Sequence, residues 1–304
     1  MRSLASALCF CLAAPASAEV PRVVTDFSVT ASLVGLVMGE VGAPIVLLDP
    51  GADPHDYQLR PSQASAIAAA DLVVWMGPEL TPWLPGALDS TGETHRMALL
   101  ESPGTTLRRF GAAAEDAAQA SSDAPAEGGH GDTDPHAWFD PDNGALWVGL
   151  IADRLADLDP EHASTYRANA SLAQTRIAAL DKSIGAEFSS RPPLPFAVGH
   201  DAFGYFADRY GLVVAGAITQ GDAAAPGARH LAALRAGLQS GAIACLFPEA
   251  GADPKQAGLL VEGTPARLGA ALDAEGRMTP AGPMLYETLL QQVADTIATC
   301  RSGS

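Results

Sequence analysis

Positive charge is scarce in this chain. Only 18 lysines and arginines face 35 aspartates and glutamates, for a formal charge of −17. Such an anionic surface repels nucleic acid and anionic lipid and tolerates or attracts cations. Cysteine is also scarce, with four in 304 residues. None forms a Cys-x-x-Cys motif, which argues against a thiolate metal site. No short-period repeat is present, and no His-Glu-x-x-His helix motif supplies the general base of a zinc hydrolase. No adhesive repeat or aromatic stripe marks an adhesin. Long apolar runs are missing too. The run Leu4–Ala14 is too short to span a bilayer.

That run follows Met1-Arg2 and precedes Ala16-Ser17-Ala18. A positive start, an apolar stretch and a small-x-small site predict a signal peptide over residues 1–18, cleaved before Glu19. The mature chain is long enough for two domains with proper cores. Its remaining cysteines, Cys245 and Cys300, read as a disulfide in an oxidising compartment. Free thiols and metal ligation are the alternatives.

The pattern alternates short β-rich runs with helical ones. Strands are expected at Val23–Phe27, Pro44–Leu48 and Leu72–Met76, and helices at Val29–Glu40, Gln63–Ala70 (Ser62 as N-cap) and onward from Glu79. This βαβαβα order implies a largely parallel sheet. Residues 112–135 then carry six acids and His130, without a basic or aromatic residue. They read as an acidic, flexible surface loop. Asn143–Leu158 is amphipathic. Glu161 to about Ser189 predicts a helix of roughly 40 Å at 1.5 Å per residue, ended by Pro192-Pro193. Strands at Phe196–Val198, Leu212–Ile218, Ala242–Phe247 and Ala266–Leu272 then alternate with helices at Phe203–Arg209, Ala228–Gln239, Lys255–Glu262 and Pro283–Cys300. The fold class that follows is α/β. Two similar lobes (19–160 and 191–304) with parallel-type sheets are joined by one long rigid helix (161–190).

Three histidines share a context. His55 follows the strand ending at Leu48, and His200 follows the strand ending at Val198. His136 lies in Asp134-Pro135-His136 ahead of a helix. Ligand sites of open α/β sheets lie at strand carboxyl ends. Asp273 is at another such end. Three imidazoles and a carboxylate make a tetrahedral shell for Zn(2+), whereas manganese and calcium sites lean on carboxylates. Asp56 and Asp201 stand next to two of these histidines and are candidates to orient them. Taken singly, each histidine reads as a loop or packing residue, and their separations match no local zinc motif. His95, His162 and His230 read as surface residues.

Three blocks resemble a known family. Residues 49–62 (Asp49-Pro50-Gly51-Ala52-Asp53-Pro54-His55-Asp56-Tyr57 onward) with Ala70–Glu79, then Asp134-Pro135-His136-Ala137-Trp138-Phe139, then Gly199-His200-Asp201-Ala202-Phe203-Gly204, are similar to the ligand blocks of periplasmic zinc-binding proteins of ABC uptake systems, the cluster A-I solute-binding proteins. The resemblance runs from about Val23 to Cys300. It implies a metal cleft between the lobes, with His55, His136 and His200 binding Zn(2+) and Asp273 completing the shell. It implies a monomer in the periplasm that captures zinc and delivers it to an ABC transporter permease, with a periplasmic zinc chaperone as a further partner, and no enzymatic activity. The manganese branch usually has Glu where this chain has His200. A manganese carrier and a zinc-dependent hydrolase are the alternatives. The family's final block usually reads Asp-Pro-Leu-Gly, whereas here it is Asp273-Ala274-Glu275-Gly276. Glu249, at another strand end, is therefore the alternative fourth ligand. The family's metal-rich loop is usually denser in histidine, and here it keeps only His130.

Overall fold

The computed structural model describes residues 19–89, 91–110, 133–219 and 226–301. The predicted signal peptide and residues 112–132 of the acidic loop, His130 among them, lie outside these residues.

The first sheet is built from β1 (Val23–Thr25), β2 (Ile45–Val46), β3 (Leu72–Trp75) and β4 (Arg96–Ala98), in the order β2-β1-β3-β4 with every pair parallel. β1 and β3 are buried along their whole length, as strands covered on both faces must be, and this is why they read as unbroken apolar runs. A two-stranded antiparallel ribbon follows, β5 (Arg108–Arg109) against β6 (Thr133–Asp134). The second sheet holds β7 (Phe196–His200), β8 (Val214–Thr219), β9 (Cys245–Phe247) and β10 (Arg267–Leu268), ordered β10-β9-β7-β8 and again parallel. The strand expected over Ala266–Leu272 is shorter. A side chain at Gly269 would run into the Phe247 ring at 2.3 Å, and pairing resumes only as a single bridge between Glu249 and Leu272.

Helices α1 (Ser28–Met38), α2 (Pro61–Ala68) and the short α3 (Pro85–Leu88) belong to the first sheet. α2 starts earlier than its expected Ser62 cap. Pro61 occupies the first turn, and the Gln63 side chain accepts the Arg60 N–H at 2.7 Å. That satisfies an otherwise orphan donor of the helix end. α4 (Pro141–Leu158) leads into α5 (Ala163–Ser190), 28 residues and so about 42 Å long. Its buried residues Tyr166, Ala170, Ala173, Ile177, Ile184 and Phe188 recur at three, four and seven, a stripe that lies on α4 and α1. In the second lobe α6 (Gly204–Tyr210), α7 (Ala228–Ser240) and α8 (Pro254–Val261) cover the sheet, and α9 (Leu285–Ala298) closes the chain.

α9 does not stay with its own sheet. It packs against α1 and α5, and Ser32 of α1 ties it down, donating to Pro283 O at 2.7 Å and accepting the Tyr286 N–H at 3.0 Å. The Tyr286 hydroxyl reaches on to Trp138 O at 3.0 Å. One core cluster accordingly runs from Val23 through Trp138 and Tyr166 to Phe247 and Cys300. Two smaller clusters lie on the outer faces, around Val73 and Leu84 in the first lobe and around Leu238 and Leu246 in the second. The lobes are joined by a shared interior as well as by the long helix. Cys245 and Cys300 are bonded, with Cα atoms 6.0 Å apart. No described helix is long and apolar enough to cross a membrane.

Candidate metal centre

The carboxyl ends of both sheets face one cleft, and three imidazoles meet there. His55 is carried by the loop after β2, His136 stands between β6 and the helical turn before α4, and His200 is the last residue of β7. Their ring centroids lie 5.6 Å (His55–His136), 5.7 Å (His55–His200) and 4.8 Å (His136–His200) apart. One ring nitrogen from each lies within 4.8 Å of the others. Zinc–imidazole bonds of about 2.0–2.1 Å need only small side-chain rotations from there. His136 is fully buried and His200 is 6% exposed.

Each histidine is held by a different acid. Asp134, fully buried, accepts both the His136 N–H at 3.1 Å and Nδ1 at 2.8 Å through one oxygen. Its other oxygen takes Arg108 Nη1 at 3.2 Å. Arg108 also binds Asp208 of α6 at 2.9 Å, so this guanidinium clamps the His136 support to the second lobe. Tyr205 joins the same hub, accepting the Arg108 N–H at 2.7 Å and donating to Asp134 O at 2.9 Å. Burial and the Asp134 charge push the Tyr205 phenol well above its ordinary range, so it stays a donor. For His55 the supporting acid is Asp53, which accepts its backbone N–H at 2.9 Å. For His200 it is Glu249, whose Oε1 lies 3.6 Å from Nδ1. Burial works to raise the Glu249 carboxyl, but His200 and Arg277 outweigh it and hold it below the usual range. Glu249 reaches this position because Gly199 has no side chain. A Cβ there would lie 2.5 Å from the Glu249 nitrogen.

The structure does not bring Asp273 to the histidines. Its Oδ1 accepts Arg277 N–H at 2.8 Å, and its Oδ2 accepts Met278 N–H at 2.9 Å, Thr279 N–H at 3.2 Å and the Thr279 hydroxyl at 3.1 Å. These four hydrogen bonds tie residues 273–279 into one loop. Besides Glu249, the acid that arrives at the cleft is Glu275. It is 3% exposed, and Oε1 stands 3.6 Å from His55 Nε2. That oxygen accepts no hydrogen bond among the described residues. Glu275 groups with Asp53 and His55 on one side and with His200 and Glu249 on the other. Gly276 lets the loop turn there: its φ is +74°, and a Cβ would press on Leu285 at 2.9 Å.

The family model for the periplasmic component A of the zinc-uptake complex, ZnuA, matches residues 23–300. The chain belongs to the ZnuA family. Over 321 aligned residues it is 42% identical to the high-affinity zinc uptake system protein ZnuA of Paracoccus denitrificans, covering 95% of this chain and 94% of that one. It is 32% identical to the ZnuA of Brucella suis, over 89% of each chain. Among solved structures, a ZnuA crystal structure superposes with a TM-score of 0.76 at 22% identity, over 93% of this chain and all of the other. The periplasmic zinc-binding protein TroA of Treponema pallidum gives 0.75 at 22%, over 93% and 99%. At such identities these two matches speak for the two-lobe fold alone.

Proposed function

We propose that this ZnuA-family protein captures a single Zn(2+) in the cleft outside the cytoplasm and hands it to an ABC permease. The observation that carries the reading is the convergence of three imidazoles, from three separate segments, on one buried point beside Glu275. Imidazole donors suit a borderline metal, and a manganese site leans on oxygen. His55, His136, His200 and Glu275 are the ligands in this reading, with Glu249 turning His200 and Asp273 building the Glu275 loop. Four protein donors close a tetrahedral shell and leave no position for a reacting water. A binding and release role follows, and a hydrolytic one does not. Lobes over 19–160 and 191–304, joined by 161–190, frame the cleft, and the leader over 1–18 directs a monomer to the periplasm.

The test is metal binding by purified protein. His55→Ala and His200→Ala should each lower zinc affinity by orders of magnitude while circular dichroism stays native. Glu275→Gln should lower it more mildly and add a water to the metal seen by X-ray absorption. A His55→Ala/His200→Ala double variant that still holds one zinc tightly would sink the site assignment.

A further inference from the structure

Glu275 has two oxygens, and only one of them faces the histidines. The other, Oε2, is taken by Arg277 Nε in a short charge-assisted contact. The same guanidinium reaches Asp53 Oδ2 at 3.2 Å, and Asp53 in turn holds the His55 backbone. The result is a ring of four groups running from His55 through Asp53, Arg277 and Glu275 back to His55 Nε2. It spans the loops that carry two of the ligands, one from each lobe. The Arg277 side chain is 17% exposed and Glu275 is 3% exposed, so water competes poorly for either.

A cation next to a cation site works against binding, so its presence calls for a reason. Arg277 has its charge met by Glu275 and Asp53 and gives geometry in return. A guanidinium fork fixes the plane of a carboxylate in a way that a point charge does not. With Oε2 held, Glu275 offers the metal one oxygen only. A tetrahedral ion such as Zn(2+) needs one. Mn(2+), which favours six oxygen-rich ligands, gains from a carboxylate that binds through both oxygens. We infer that Arg277 is a specificity-determining residue, which restricts Glu275 to one metal–oxygen bond and so disfavours metals of higher coordination number. The inference rests on Glu275 being the fourth ligand.

Arg277→Met and Arg277→Lys, each in the full mature protein, test it by competition between Zn(2+) and Mn(2+). Removing a positive charge strengthens binding of every divalent cation, so the ratio of the two affinities is read, not either alone. Arg277→Met should lower the zinc-over-manganese ratio by about tenfold or more, a size usual for groups that orient ligands. Arg277→Lys keeps the charge but loses the fork, and its ratio should fall between the two. X-ray absorption at the manganese edge should show one more oxygen neighbour in Arg277→Met than in the unsubstituted protein. Arg60→Met removes the Arg60–Asp49 ion pair of the same loop, outside the ring, and should keep the ratio, which separates the effect from general loosening of the His55 loop. An unchanged ratio in Arg277→Met, with both metals bound, overturns the inference. Should Arg277→Met fail to fold, Arg277→Lys and Arg277→Gln decide it by the same ratio. The ligand reading fails separately, if Glu275→Gln leaves zinc affinity and coordination as they were.

Discussion

Asp134 accepts a hydrogen bond from Nδ1 of His136 at 2.8 Å, and both side chains are fully buried. A carboxylate only accepts, so Nδ1 carries the proton and the Nε2 lone pair is turned toward the cleft. Asp134→Asn should lower zinc affinity by roughly 10–100-fold, because the amide donates as readily as it accepts and the tautomer is no longer set. Competition against a chelator of known affinity measures it. Affinity equal to that of the parent protein would show that His136 needs no orienting partner.

Arg108 and Gly204 make a second testable pair. A Cβ on Gly204 would stand 2.2 Å from Arg108 Nη1 and 2.3 Å from its Cζ. The guanidinium is held by Asp134 and Asp208 and has little room to retreat. Gly204→Ala should therefore cost about 1–3 kcal/mol of stability, the range of overpacking in a filled interior. A lowered urea midpoint with an unchanged slope would report it. Adding Arg108→Ala to Gly204→Ala should cost less than the two single changes summed. Strict additivity would mean that the two residues do not meet.

The Cys245–Cys300 bond fastens the end of α9 to the start of β9 across 55 residues of chain. α9 also packs on α1 of the other lobe, so the bond secures an element on which the shared core depends. Closing a loop of that length is worth about 4 kcal/mol on the chain-entropy account. Cys245→Ala/Cys300→Ala should lower the unfolding free energy by an amount on that scale, read from guanidinium denaturation as a lower midpoint. The zinc affinity of the folded double variant should not change. A midpoint that stays put would show that packing alone holds α9.

The sequence made some of this visible and hid the rest for physical reasons. β1 and β3 were legible because strands buried on both faces show as plain apolar runs. α5 was legible because the run from Glu161 to Ser189 has no proline and no glycine before Gly185, and the structure adds a buried stripe from Tyr166 to Phe188. His55, His136 and His200 were legible through their Pro- and Gly-rich blocks, and the structure sets them together. Which acid stands beside the histidines was hidden. Which of Asp273 and Glu275 faces the cleft depends on the backbone of 277–279 folding onto Asp273, and no side-chain pattern announces that. Arg108, Asp208 and Tyr205 were hidden as well, since Arg108 and Tyr205 meet Asp134 across 26 and 71 residues and Asp208 meets Arg108 across 100. The cap of α2 went to Arg60 and Gln63 rather than Ser62 because Pro61 already fits the first helical turn.

Asp26 yields a prediction about pH. It sits at the end of β1, fully buried, accepting the Phe27 N–H at 2.9 Å and the Met76 N–H at 2.7 Å. Burial pushes its carboxyl up to about 6 against the hydrogen bonds that favour the ion. The folded chain therefore holds this proton more firmly than the unfolded chain does. Stability from this group is full below the ordinary carboxylate value of 3.8 and is lost as pH rises through about 6. Two pKa units correspond to roughly 3 kcal/mol. Asp26→Asn removes the titration while keeping the shape. It also sets one amide donor against a backbone N–H, a cost that does not depend on pH. The variant's stability minus the parent's should therefore rise between pH 4 and pH 7 by up to about 3 kcal/mol. Urea denaturation of metal-free protein at a series of pH values measures this difference. A difference that is flat across that range would mean that Asp26 is ionised in the fold at both ends of it, with Met76 and Phe27 compensating its burial in full.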